Sequence, residues 1–240
     1  QTGSRGGFIG FCVVGAWILV RYSSIPLSQR LGTLAACVLL LAVAGSDQFW
    51  DRMETLLHPQ DDYNWAGNSE SGRIEIWKRG IGYMLDRPFV GVGARNFSAA
   101  EGTLSRLGKL NQLGGPGFKW SAPHNAFVQV GAELGVFGLL LFLGLFLQGF
   151  RIAGRSPPGL AGRAGDESRA LRQAFRVSLV GLGVTAFFLS AAYKPIVFAL
   201  AGLLIGLEKL DRVRERGNEQ RPEVRMVRIR RSPSSRARSA

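Results

Sequence analysis

Sulfur and imidazole are scarce in this sequence: its 240 residues hold two cysteines, Cys12 and Cys37, and two histidines, His58 and His124. Both cysteines fall inside apolar runs, where a thiol behaves as a small packed hydrophobe. They are therefore expected to be free, and to form neither a disulfide, a metal site nor a reactive centre. The nearest approach to an Asp-rich metal motif is "DDYNW" at 61–65, away from the residues singled out below, so neither a metal nor another cofactor is expected. No signal peptide of the usual form is visible, and the chain opens on "QTGSRGG" without a methionine, so it reads as part of a longer protein.

Apolar residues, by contrast, are abundant and clustered. They make up 46% of the chain and concentrate in nearly charge-free runs at 8–20, 31–45, 126–150, 177–192 and 196–207. A bilayer span takes about 20 apolar residues, so several runs need their small flanking residues to reach across. A soluble protein with buried core helices is the alternative. Five runs rich in Gly and Leu, separated by charged segments, favour an all-α integral membrane protein, a polytopic helical bundle.

The distribution of charge orients these spans. Arg21 and Arg30 bracket the first connection, and Arg151, Arg155, Arg163, Arg169 and Arg172 fill the segment after the long run. The stretch from Leu207 onward carries 11 basic against 5 acidic residues, whereas 46–124 is balanced at 9 and 9. Positive loops face the cytoplasm, so the balanced segment belongs outside. The expected organisation is two spans with an external Arg motif in 1–45, an external loop domain at 46–124, three spans in 125–210 and a disordered basic tail at 211–240. The net charge of +13 could signal nucleic acid, but it sits where positive-inside bias and anionic headgroups account for it, so no nucleic-acid partner is expected.

The external segment is longer than a plain connection requires. Within it, "SESGRIEIWKRGIGYMLDRP" sets Ile74, Trp77, Ile81, Met84 and Leu85 at helical spacing, and Pro88 ends the pattern, which predicts an amphipathic helix on the membrane or over the spans. Ser71 is a plausible N-cap, putting Arg73 in the first turn. A cation there opposes the helix dipole, and a bound anion would relieve it, although a solvated arginine at a helix start is the plainer account. "PFVGVGARNF" follows; its Gly91 and Gly93 read as a turn, because G-V-G alone is weak evidence for a nucleotide site.

His124, in "SAPHNAF", stands at the external end of a long apolar run, where a helix N-terminus disfavours imidazolium and leaves a base able to accept a proton. Nothing around His58 resembles a ligand set or a triad. Glu133 lies inside the same apolar run as His124 and needs a partner or a role. Nine residues at 100° each put it on the opposite helix face from His124, so it is expected to hold a neighbouring helix or an arginine behind the site. Arg5, just before the first run, falls on the same external side. Two arginines and a neutral histidine at one membrane face suit a lipid-linked diphosphate.

The series "TGSRGG", a pair of spans, a long loop with "SGRIEIWKRGIGYMLDRPFVGVG", then "APHNAFVQVGAELGVFGLLLF" resembles the C-terminal half of the bacterial O-antigen ligase and O-antigen polymerase family over roughly residues 1 to 150. The resemblance implies a partial glycosyltransferase fold of the C type in the bacterial inner membrane. It implies transfer of a glycan from undecaprenyl diphosphate to a glycan, lipid or protein acceptor at the periplasmic face, in the biosynthesis of lipopolysaccharide or another surface polysaccharide. It sets Arg5 and Arg73 on the donor diphosphate and His124 at the acceptor hydroxyl, in an inverting reaction independent of metal. The family's N-terminal half has no counterpart in these residues. Two other classes remain: a transporter of inorganic carbon or glycan with Glu133 and Arg5 lining a path, and a non-catalytic membrane scaffold whose loop binds a partner.

Overall fold

The computed structural model describes residues 5–21, 25–58, 72–112, 121–156, 159–160 and 162–219. Ser71, "DDYNW" and the tail beyond 219 lie outside the described residues. Among those described, all regular structure is helical: α1 (Arg5–Arg21), α2 (Leu27–Ala44), α3 (Asp47–Glu54), α4 (Arg73–Asp86), α5 (Phe97–Thr103), α6 (Arg106–Gln112), α7 (Ala126–Gly154), α8 (Gly162–Phe188) and α9 (Pro195–Glu219).

Two of these, α2 and α7, are long and apolar enough to cross a membrane. The apolar stretches of α8 and α9 continue at one end into charged helix, and α1 has 17 residues bounded by Arg5 and Arg21. Large apolar side chains such as Val43, Leu141 and Leu203 stand exposed on α2, α7 and α9. A water-soluble bundle turns such faces inward, whereas lipid solvates them.

Helices α7, α8 and α9 share a core built on Phe142, Ala186, Val197 and, one layer away, Leu179 and Leu204. Helix α1 lies against α8, close enough that a Cβ on Gly6 would sit 2.5 Å from Phe188 Cβ. Small residues at such a crossing let two backbones approach, which is how helices associate in lipid. A second core joins α4 to α5 and α7 through Ile76, Tyr83, Phe97 and Ala132. The buried stripe of α4 is therefore Ile76, Gly80 and Tyr83, while Ile81 and Leu85 of the expected stripe are exposed. Its N-cap is Gly72, with no side-chain cap bond.

The arginine-rich stretch after α7 is largely helix rather than loop. Buried Arg172 in the charged half of α8 donates to the Ile152 carbonyl at the end of α7 and to Asp211 and Glu208 on α9, and Ser168 donates to Asp211. Such a network costs desolvation to form, but removing one member leaves an uncompensated buried charge, worth about 3–5 kcal/mol. It ties together the ends of three helices where charge alone suggests only an open connection.

One feature of α7 positions everything that follows. The helix is broken at Gly135, whose φ of 70° and ψ of −168° lie in a region essentially restricted to glycine. The break separates the Val136 amide from the Ala132 carbonyl, its partner in an unbroken helix. The connection after α4 takes up both: Val136 N donates to Pro88 O at 2.7 Å, and Ala132 O accepts from Val92 N at 2.9 Å. Glu133 O likewise accepts from Gly93 N at 2.9 Å. "PFVGVG" is thus more than a turn; it is inserted into a helix. Gly91, at φ 61°, makes the approach possible, since a Cβ there would fall 2.4 Å from the Glu133 carbonyl carbon.

Candidate functional site

His124 precedes α7 rather than belonging to it. Asn125 is the N-cap, buried, with Oδ1 accepting from the amides of Phe127 at 2.9 Å and Val128 at 3.0 Å. Asparagine is favoured here because its side-chain oxygen satisfies amides that have no partner within the helix. The "PHN" step therefore divides its labour, with Asn125 starting the helix and His124 left exposed at the surface. Because His124 has a φ of 46°, the helical-wheel relation to Glu133 does not apply to it.

The peptide unit that enters His124 is held at both its polar groups by distant elements. The Pro123 carbonyl accepts from the indole N–H of Trp77 on α4 at 2.7 Å, and the His124 amide donates to Ser190 Oγ at 2.9 Å in the turn between α8 and α9. Arg73 stands one helical turn before Trp77, so the same contact anchors the start of α4 beside the histidine loop. Trp77 also packs edge-on against Phe187, with ring centroids 5.2 Å apart. Next to it, Phe188 carries Gly6, the neighbour of Arg5. Arg5 itself donates to Thr55 Oγ1 at 2.9 Å, drawing in the turn after α3. The segment 187–190 is thus the common support of the elements bearing Arg5, Arg73 and His124. Exposed His58 sits beyond that turn and shares none of these contacts.

Glu133 is 1% exposed. Its carboxylate accepts from the amides of Arg95 and Phe97, each at 3.0 Å, and from the hydroxyl of Tyr193 at 2.6 Å. An ionisable group at this depth is tolerable only with its acceptors filled, and three donors fill them. It makes no hydrogen bond to His124 among the described residues; it clamps the inserted loop and the α8–α9 turn together. Burial and then the bond to Glu133 raise the Tyr193 pKa above its ordinary value, keeping the hydroxyl a donor.

A second buried carboxylate, Glu101, is 0% exposed on α5. Arg79 grips it with Nε at 2.9 Å and Nη2 at 2.7 Å, and the Tyr83 hydroxyl donates to it at 2.8 Å. Burial alone lowers the Arg79 pKa, but the hydrogen bond and charge of Glu101 outweigh it and the net shift is upward. Tyr83 is raised first by burial and then by its bond to Glu101. This triad locks α4 to α5 and holds Arg73 and Trp77 in place.

Sequence reasoning missed Arg95. Among the described residues, it and His124 are the only two non-glycine positions with positive φ, at 60° and 46°. Such a backbone costs about 1–3 kcal/mol and persists where the surroundings over-determine it, often at functional sites. The Arg95 guanidinium lies 5.9 Å from the centre of the Tyr193 ring, a contact worth about 0.5–1 kcal/mol at an exposed position. Glycine would make the same amide bond to Glu133 without strain, so stability alone favours glycine at this position. The available signal was an arginine placed in "GVGARN", where turn-forming residues surround it.

No curated protein matches the chain. The profile of the family described as O-antigen ligase matches residues 1–143, which contain Arg5, Arg73, Arg95, His124 and Glu133. More than half of the sequence is covered, and the chain belongs to the O-antigen ligase family, whose members transfer glycans at membranes.

Proposed function

We propose that this protein moves a glycan from an undecaprenyl diphosphate carrier to an acceptor hydroxyl at the periplasmic face of the bacterial inner membrane, as an O-antigen ligase or a related polymerase, within a polytopic helical fold of the glycosyltransferase C type. What most supports the reading is the segment 187–190, on which the elements carrying Arg5, Arg73 and His124 all rest.

In the proposed reaction His124 accepts the proton of the acceptor hydroxyl as its oxygen bonds to the anomeric carbon. The bond from that carbon to the diphosphate oxygen breaks on the opposite face, its electron pair leaves with the diphosphate, and the configuration inverts. Arg5 and Arg73 stabilise the charge developing on the leaving group, a contribution often worth about 3–4 kcal/mol for one well-placed donor. The base contributes about 10²- to 10⁴-fold. Two guanidiniums supply the positive charge that the departing diphosphate needs, so the reading assigns no metal. The transport alternative required Glu133 to line a path, but its acceptors are occupied by Arg95, Phe97 and Tyr193.

The test is genetic and chemical. Cells carrying His124→Ala as the only copy of the gene are expected to accumulate lipid-linked glycan and lose the transfer product, with the variant present in the membrane at normal level. His58→Ala is expected to leave transfer unchanged. Near-normal transfer by His124→Ala would end the reading.

A further inference from the structure

We infer that Arg95 is a third substrate-binding guanidinium of this site, gripping phosphate oxygens of the donor or of a phosphorylated acceptor; the inference rests on the transfer reading above. The backbone of Arg95 is held in a left-handed conformation, with its amide on buried Glu133. Its side chain is exposed and laid over Tyr193, whose hydroxyl is bound by the same carboxylate. Tyr193 stands three residues after Ser190, which holds the His124 amide. The two strained residues, Arg95 and His124, therefore both rest on the turn between α8 and α9, and His124 is the base assigned to the reaction.

The chemistry favours an anion as the ligand. Among the described residues the Arg95 guanidinium makes no ion pair. Its planar fork matches two phosphate oxygens at once. The backbone clamp and the ring fix its position before any ligand arrives, so little is lost in ordering it on binding. A side chain kept there for packing would gain by becoming glycine; one kept for binding would not.

That contrast sets the experiment. Arg95→Gly, in the purified protein in detergent, is expected to match or exceed the wild type in thermal stability, because the amide bond to Glu133 survives and the strain is removed. Transfer in cells is expected to fall about tenfold or more, the size of a lost charge-assisted contact. Titration with undecaprenyl diphosphate then separates the two sources: weaker binding by Arg95→Gly places the contact on the donor, and unchanged binding with lost transfer places it on the acceptor. Arg95→Lys, which keeps charge and strain, is expected to recover only part of the activity. If Arg95→Gly transfers normally, or if it is destabilised, the inference fails. His124→Ala, run in parallel, separates this outcome from failure of the underlying reading: loss of transfer there with normal Arg95→Gly sinks the inference alone.

Discussion

Glu133 and Tyr193 are 60 residues apart in sequence and joined by a hydrogen bond of 2.6 Å. Through it the N-terminal segment of α7 fixes the turn between α8 and α9, and with that turn Ser190 and the loop of His124. Glu133→Ala would leave two amides and a hydroxyl without their acceptor, and each buried orphan costs about 1–3 kcal/mol. The expected loss is about 3 kcal/mol or more, against about 1 kcal/mol for Tyr193→Phe. A double-mutant cycle by thermal unfolding in detergent checks the coupling, and additive effects would deny the clamp.

Alkaline pH should reach the contact between α4 and α5 through Tyr83. Its folded pKa is raised above the ordinary value near 10 by burial and by the bond to Glu101. The unfolded chain thus gives up this proton first. The contribution is complete below about pH 10 and is lost as pH rises beyond it. Unfolding temperatures of wild type measured from pH 8 upward should fall past that point more steeply than those of Tyr83→Phe; parallel curves would contradict the assignment.

The inserted loop depends on two glycines. An Ala Cβ at 135 would lie 2.3 Å from Pro88 O, and one at 91 would lie 2.5 Å from Ala132 O, both on backbones of positive φ. Gly135→Ala and Gly91→Ala are each expected to destabilise by about 3 kcal/mol or more, from strain and overpacking together. Hydrogen exchange should show the amides of Val92, Gly93 and Val136 losing protection in both variants. Retained protection would mean that the loop docks without them.

Arg73→Lys should weaken undecaprenyl diphosphate binding about tenfold, because an ammonium cannot reproduce the two-pronged contact of a guanidinium with phosphate. Titration of the purified variant measures this. Equal affinity would remove Arg73 from the donor site.

The proposed orientation is open to labelling. With Cys12 and Cys37 replaced by serine, Lys109→Cys should react with a membrane-impermeant maleimide applied to spheroplasts, and Arg163→Cys only after permeabilisation. Both positions are exposed, so reactivity reports the side of the membrane. The opposite pattern would reverse the topology.

The sequence revealed most where hydrophobicity is one-dimensional. The apolar runs beginning near Phe8, Leu31 and Ala126 lie in α1, α2 and α7, and the gap between the runs 177–192 and 196–207 falls close to where α8 gives way to α9. Its silence has physical causes. The loop docks on α7 through main-chain groups, which leave no trace in residue identity beyond Gly91 and Gly135. Arg172 reads as a loop charge because its partners, Glu208 and Asp211, lie far along the chain on another helix. Arg95 passes for a solvated residue because its distinction is a dihedral angle. Arg5, Arg73 and His124 stood out because each sits at the boundary of an apolar or amphipathic run, where a charge or an imidazole contrasts with its neighbours.

The break at Gly135 also makes the conformation of one segment depend on another made earlier. Synthesis delivers 88–93 before 132–136, so the strand of main chain that completes α7 already exists when the helix is made. The hydrogen bond given up inside the helix, between Val136 and Ala132, is replaced by two to the waiting loop. Without the loop, the Val136 amide and the Ala132 carbonyl have each other as partners only in an unbroken helix. The docked shape of α7 therefore depends on the earlier segment, and the loop after α4 is coupled to the geometry of the helix it enters.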